Sequence, residues 1–218
     1  MGTRLGSPYP KPLTTLVDGR SIMQQQIQNL HAVFGDVHVM TVVGFKLELI
    51  LEAFPDSVYI YNERYDQTNT SKSLLKAFRA APEGGVLWMN GDVVFDPRIL
   101  NEISPLIEAD QSFICVNTAS VAEEEVKYLV DADGFVTELS KQVADALGEA
   151  VGINFISAKD RAAVTKRLSE CDDQDYFERG LELAIEHDGV KLTPVDIKEL
   201  FAVEVDFAED LSRANEFL

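Results

Sequence analysis

Cysteine is scarce in this chain of 218 residues, which holds only Cys115 and Cys171. Their spacing matches no zinc pattern. Cys115, inside the apolar run "FICV", reads as a small buried hydrophobe. A reducing, cytoplasmic compartment is the simple expectation. Basic residues are also few: 19 Lys and Arg stand against 37 Asp and Glu, a formal net charge of −18. Such a surface repels a polyanion, so non-specific nucleic-acid binding is not expected. A small phosphorylated ligand stays open, because a local basic cluster or a metal ion reverses the field within one cleft. Long apolar runs are missing too. "VLWM" falls far short of a membrane span, and no basic leader with an apolar h-region is visible, so neither a membrane nor a secretory signal is expected. No repeat, coiled coil, low-complexity tract or Pro/Gly/Ser linker appears. With 46% hydrophobic and 26% charged residues, the composition is that of an ordinary globular protein, read here as one domain over 1–218.

What is present is an alternation of helical and extended patterns. "SIMQQQIQNLHAVF" carries a helical stripe at Ile22, Met23, Ile27, Leu30 and Val33, with Ser21 as its N-cap. "DVHVMTVVG" reads as a strand, "KLELILEAF" as a helix, "SVYIYN" as a strand and "TSKSLLKAFRAA" as a helix. "GVLWMNGD" is a buried strand, followed by a helix over 97–109 and the strand "SFICVNT". "EVKYLVDADGFVTELSK" predicts two strands around a tight turn. "AVGINFIS" is another strand, helices follow over 159–169 and 176–186, and "FAVEVD" is a last strand before a closing helix. Repeated β-α-β order implies an α/β domain with a largely parallel, mixed sheet and helices on both faces. Ligands in such sheets bind beyond the carboxyl ends of the strands.

Two aspartates sit at such ends. Asp92 follows "VLWMNG" and Asp206 follows "FAVEV". Converging there, they make a hard-oxygen pair suited to Mg²⁺, though Asp at such a position also simply caps the next segment. The opening "MGTRLGSPYPKPL" supplies positive charge. Gly2 and Gly6 permit turns that aim backbone N–H groups at a phosphate. Arg4 and Lys11 bind phosphate oxygens in different ways, by a planar fork and by a point charge. Pro10 and Pro12 hold Lys11 out of a helix. The competing reading is a polar terminus without a role. In "YNERYDQTNTSKSLL", Asn62, Asn69, Thr70 and Ser73 cluster between a strand and a helix, as ligand-reading groups or as an ordinary capped loop. In "DDQDYFERG", Glu178 lies beside Tyr176 and Phe177, a setting for a cationic ligand group or for a solvated carboxylate above core aromatics.

Taken together, these stretches resemble the nucleotidyltransferases that activate sugar and alcohol phosphates. Their signature is roughly G-x-G-T-R-L followed by P-K. The motifs "NERYDQTNTSKSL", "WMNGDVVFD", "GEAVGINFIS", "DYFERGLE" and "EVDFAEDLSRA" fall in the order of the small cytidylyltransferase branch, which includes phosphocholine, inositol-phosphate and aminoethylphosphonate cytidylyltransferases. The resemblance covers nearly the whole chain. It implies a Rossmann-like three-layer sandwich and Mg²⁺-dependent attack of a phosphate or phosphonate oxygen on the α-phosphorus of a nucleoside triphosphate, with CTP implied by the resemblance alone. It implies Arg4 and Lys11 as the catalytic phosphate-binding pair and Asp92 and Asp206 as metal ligands. Gly2, Thr3, Asn69, Ser73 and Gly91 line the substrate pocket, and Glu178 faces the acceptor's head group. The implied partners are a nucleoside triphosphate and a small phosphorylated or phosphonate acceptor, with a homodimer left open. The family pattern begins with a strand ending in Ala-Ala-Gly, which does not precede "GTRL" here, so Met1 reads as an internal methionine of the motif. A sugar-1-phosphate nucleotidyltransferase using UTP or dTTP, and a non-catalytic nucleotide-binding module of the same fold, remain as alternatives.

Overall fold

The computed structural model describes residues 9–119, 121 and 125–218. After a 3₁₀ turn at Lys11–Leu13, helix α1 (Ile22–Phe34) leads to strand β1 (Met40–Val43), α2 (Leu47–Ala53), β2 (Val58–Tyr61) and α3 (Thr70–Ala80). Strands β3 (Val86–Met89) and β4 (Val93–Phe95), helix α4 (Arg98–Glu108) and β5 (Phe113–Asn117) follow. The second half comprises β6 (Lys127–Val130), β7 (Val136–Ser140), β8 (Gly148–Ile156), α5 (Arg161–Glu170), α6 (Phe177–Asp188), β9 (Thr193–Asp196), β10 (Ala202–Glu204) and α7 (Ala208–Glu216). Ser21 caps α1 as expected, its side chain accepting from the Gln24 N–H.

The mixed α/β class read from the sequence stands. β5 and β9 pair in parallel, as do β1 and β2. β8 runs antiparallel to β3, β5 and β6, and the hairpin expected around residues 131–134 is β6–β7. β4 pairs with β10, which carries the two cavity-facing segments close to each other. Strand β5 shows why the sheet is sandwiched. Its residues Phe113–Val116 are all fully buried, so both faces are covered. Ile114 and Val116 pack with Leu74 and Phe78 of α3, Leu168 of α5 and Leu181 of α6. Phe113 and Cys115 pack on the opposite face with Ile99, Leu100 and Ile103 of α4.

Two strands were not expected from the sequence. β9 contains Pro194, which argues against a strand inside a sheet. It survives because β9 lies at the end of the strand order, with β5 as its neighbour. β4 is only three residues long and follows β3 after a tight turn at 90–92, so the strand read in "GVLWMNGD" ends at Met89 and a second short strand comes after it.

An aromatic chain ties together three elements that carry cavity residues. Trp88 of β3 meets Phe78 of α3 edge-on, with centroids 5.6 Å apart, and Phe177 of α6 in the same manner at 5.6 Å. Its indole Nε1 is buried and has no acceptor among the described residues. The Arg161 guanidinium closes the other end of α3 by donating to the Phe78 carbonyl, which the helix leaves without an internal partner, and to the Ala81, Pro82 and Gly84 carbonyls just past the helix. The contribution of Trp88 is therefore shape and not hydrogen bonding. Trp88→Ala is expected to cost about 3 kcal/mol in urea unfolding, and Trp88→Phe less than about 1.5 kcal/mol because no hydrogen bond is lost. A Trp88→Phe loss as large as that of Trp88→Ala would contradict this.

Candidate active site

A cavity of about 670 Å³ opens where the 3₁₀ turn, the end of β1, the β3–β4 turn, β8, β10 and the N-termini of α3 and α6 converge. At its centre the Lys11 ammonium donates to Asp92 Oδ2 at 2.9 Å and to Asp206 Oδ1. These residues are 81 and 195 positions from Lys11 in sequence. Burial lowers the affinity of Lys11 for its proton, but Asp92 and Asp206 outweigh it and hold the pKa above the ordinary lysine value. Gly91 lets the segments approach: a Cβ there would sit 3.2 Å from Pro12 Cγ, next to Lys11. Two sequence-predicted carboxylates and the predicted lysine are thus brought to one point.

Beside them lies a second acidic group. Glu204, on β10, accepts from Asn90 Nδ2 at 2.9 Å. Its pKa is pushed up to about 8, first by burial and then by the charges of Asp92 and Glu125, against the opposing hydrogen bond from Asn90. Burial also raises Glu125, with Glu149 adding to the effect. Gly152 stands with φ +70°, and a Cβ there would lie 2.8 Å from both Asn90 Nδ2 and Glu204 Oε1. Only a residue without a side chain leaves that hydrogen bond intact.

Glu178 is on the first turn of α6 and only 8% exposed. Burial pushes its pKa up to about 7. Its Oε2 atom is buried without a hydrogen-bond partner among the described residues. Phe177 is in the core and Tyr176 is exposed, whereas Glu178 is buried and not a solvated carboxylate. The Lys141 ammonium lies 5.3 Å from the Tyr176 ring centroid at the same wall. The cavity wall therefore already seats one ammonium on an aromatic face.

The remaining predicted residues divide. Asn69 lines the cavity but also caps α3, its Oδ1 accepting from the Thr70 N–H at 2.8 Å. Ser73 lies outside the main cavity, in a satellite cavity of about 230 Å³. There its hydroxyl accepts from Asn62 Nδ2 at 3.1 Å. Gly2, Thr3, Arg4 and Gly6 fall outside the described residues. The sequence reading missed Asn90, Glu125, Lys141, Asn154 and Glu204. Glu204 and Asn90 had a signal, since each stands two residues before a predicted metal ligand. Lys141 had none, because it reaches the site only through the return of the β6–β7 hairpin.

The paired carboxylates present hard-oxygen donors to one shared cation, the Lys11 ammonium. Among the described residues no group of three or more His, Cys, Asp or Glu forms a metal cluster. A pair nevertheless fits Mg²⁺, which is commonly held by one or two carboxylates while substrate phosphates complete the shell. No helix among the described residues is long and apolar enough to cross a membrane.

No family model matches the chain. A CMP-5'-(3-aminopropyl)phosphonate synthase of Streptomyces rubellomurinus is 28% identical over 236 aligned residues, which cover 99% of this chain and 37% of that protein. The chain thus spans little more than a third of that relative. Among solved structures, the inositol-1-phosphate CTP transferase of T. maritima superposes with a TM-score of 0.82 at 18% identity, covering 99% of this chain and 90% of that one. The CTP:phosphocholine cytidylyltransferase of Streptococcus pneumoniae gives 0.75 at 17% identity, with 99% and 93% covered.

The acidic wall has a measurable consequence for the ligand-free protein. A carboxyl group whose folded pKa lies above its unfolded value opposes folding once it ionises. For Glu178 that penalty is absent below about pH 4.5, grows as the pH rises and is complete above about 7. Glu178→Gln is therefore expected to stabilise the empty protein by up to about 3 kcal/mol at pH 8 and by almost nothing at pH 4.5, read from thermal melts. An equal change at both pH values would contradict the burial of this group as a charge. The similarity found in sequence and in structure agrees with the motifs, and the chain has the fold of a small cytidylyltransferase-like nucleotidyltransferase.

Proposed function

We propose that this chain is a Mg²⁺-dependent nucleotidyltransferase that joins CTP to a small phosphorylated or phosphonate acceptor. An acceptor oxygen attacks the α-phosphorus, the bond to the bridging oxygen of the β-phosphate breaks, and pyrophosphate leaves. The observation that carries the reading is the convergence of Lys11, Asp92 and Asp206 at one point of the cavity. Asp92 and Asp206 would hold Mg²⁺, which supplies charge neutralisation for the triphosphate. The Lys11 ammonium, kept protonated by its surroundings, moves from the carboxylates to phosphate oxygens when the nucleotide arrives. Catalysis of this kind is positioning and electrostatic stabilisation in a site prepared before the substrate enters.

The acceptor end is read by Glu178. A buried carboxylate oxygen without a partner favours an acceptor whose far end carries an amino group. The amino-bearing product named for the Streptomyces relative supports both that choice and cytidine as the nucleoside. An amino-alkylphosphonate is thus the first acceptor to try.

Pyrophosphate release is the test, with Mg²⁺, CTP and aminoalkylphosphonates, and with UTP, dTTP and sugar 1-phosphates in parallel. Asp92→Asn and Asp206→Asn are each expected to lower turnover by about 10³-fold or more, on the scale of losing one preorganised electrostatic group, while leaving the fold intact by circular dichroism. Activity unchanged in either variant removes that residue from the mechanism. Nucleotide binding without release under any substrate pair would favour a non-catalytic binding module.

A further inference from the structure

We infer that Gln26 is a positioning residue for the metal site: it clips the turn that aims Asp92 and so sets where Asp92 stands relative to Lys11. The inference rests on the metal reading proposed above. Asp92 stands in the turn 90–92 between β3 and β4. That turn is held loosely by its own backbone, because the Val93 N–H reaches the Asn90 carbonyl only at 3.3 Å. Gln26 lies on α1, 64 positions before Asn90, and is buried. Its Nε2 amide donates to the Asn90 carbonyl and to the Val93 carbonyl, each at 2.8 Å. A side-chain amide has two N–H groups, and here one goes to each flank of Gly91 and Asp92.

The same helix holds the lysine side of the site. The Ile22 N–H donates at 3.1 Å to the carbonyl of Thr14, the residue after the 3₁₀ turn that carries Lys11. Leu13 packs against the cluster of Met23, Val43 and Ile50. Helix α1 therefore steadies Lys11 by its first turn and Asp92 by Gln26, and both groups are referred to one rigid element. A metal ion needs that precision more than the lysine does. Mg²⁺ demands near-ideal octahedral geometry, whereas a lysine ammonium adjusts on its flexible stem. A loosened turn thus costs the metal more than the resting ion pair. Gln25 supplies the contrast. It too is buried and donates through Nε2 at 2.8 Å, but to the carbonyl of Phe95, the last residue of β4. It anchors the strand and not the turn.

The two glutamines make a matched test, read as Mn²⁺ binding to the full chain with CTP present, by electron paramagnetic resonance, at a temperature where circular dichroism shows each variant folded. Gln26→Met keeps the length of the side chain and removes both donors, and Gln25→Met does the same one position away. Gln26→Met is expected to weaken Mn²⁺ binding about tenfold or more, the scale for losing a group that orients a metal ligand, and Gln25→Met less than about twofold. Excess Mg²⁺ should restore turnover in Gln26→Met, since its defect is in metal affinity. Gln26→Asn and Gln25→Asn, amides one methylene shorter, form a second pair should Gln26→Met not fold, and the same ordering is expected of them. Equal losses at the two positions, or no loss in a folded Gln26 variant, would overturn the inference, because the amide would then serve stability alone. A wild-type chain whose Mn²⁺ binding gains nothing from CTP contradicts the metal reading itself, and the inference falls with it. A wild-type gain that the Gln26 variants keep overturns only the role of Gln26.

Discussion

The Lys11 ammonium between Asp92 and Asp206 is the interaction on which the site is built. It joins a segment near the start of the described chain to the β3–β4 turn and to the second residue after β10. The pairing of β4 with β10 brings the two carboxylates side by side, and carboxylates held that close repel unless a cation stands between them. Lysine fills that role in the empty site. In the proposed reaction a divalent metal would take its place, with phosphate oxygens completing the shell. The ion pair is not chiefly a device for stability, since partly buried pairs gain little net free energy.

The rest of the cavity follows from the same excess of acid. Glu125, Glu178 and Glu204 are all pushed toward their neutral forms by burial. Lys11 is engaged with the aspartates, and Lys141 lies over Tyr176. A wall of this kind disfavours a second strongly anionic group near Glu178 and favours an ammonium there. The site thus has two regions of its own: the aspartates Asp92 and Asp206 bridged by Lys11, and the buried carboxylate of Glu178. The aromatic chain Phe78–Trp88–Phe177 keeps the two regions in register, because it locks α3, β3 and α6 together directly beneath them.

Much of this was legible in the amino-acid sequence, for identifiable reasons. Asp92 and Asp206 stood out because each closes an apolar strand, and strand ends are where α/β sheets place their ligands. Lys11 stood out through its flanking prolines. Ser73 was read as lining the pocket but lies in the satellite cavity, because α3 turns that position toward Asn62. Asn69 serves two purposes, which composition alone could not separate. Glu204 was missed even though it stands two residues before Asp206, since a glutamate in a short strand reads as solvent-facing until β4 and β8 are packed beside it. β9 was hidden by Pro194, whose tolerance depends on its place at the end of the strand order.

The central claim is that Asp92 and Asp206 exchange the lysine for a divalent metal when nucleotide binds. Mn²⁺ in place of Mg²⁺ reports on this directly, through the loss of the free-ion spectrum in electron paramagnetic resonance. The account predicts weak Mn²⁺ binding by the protein alone, much tighter binding when CTP is added beyond what CTP itself retains, and loss of that gain in the Asp92→Asn/Asp206→Asn double variant. A gain that survives in the double variant would place the metal elsewhere and contradict the account.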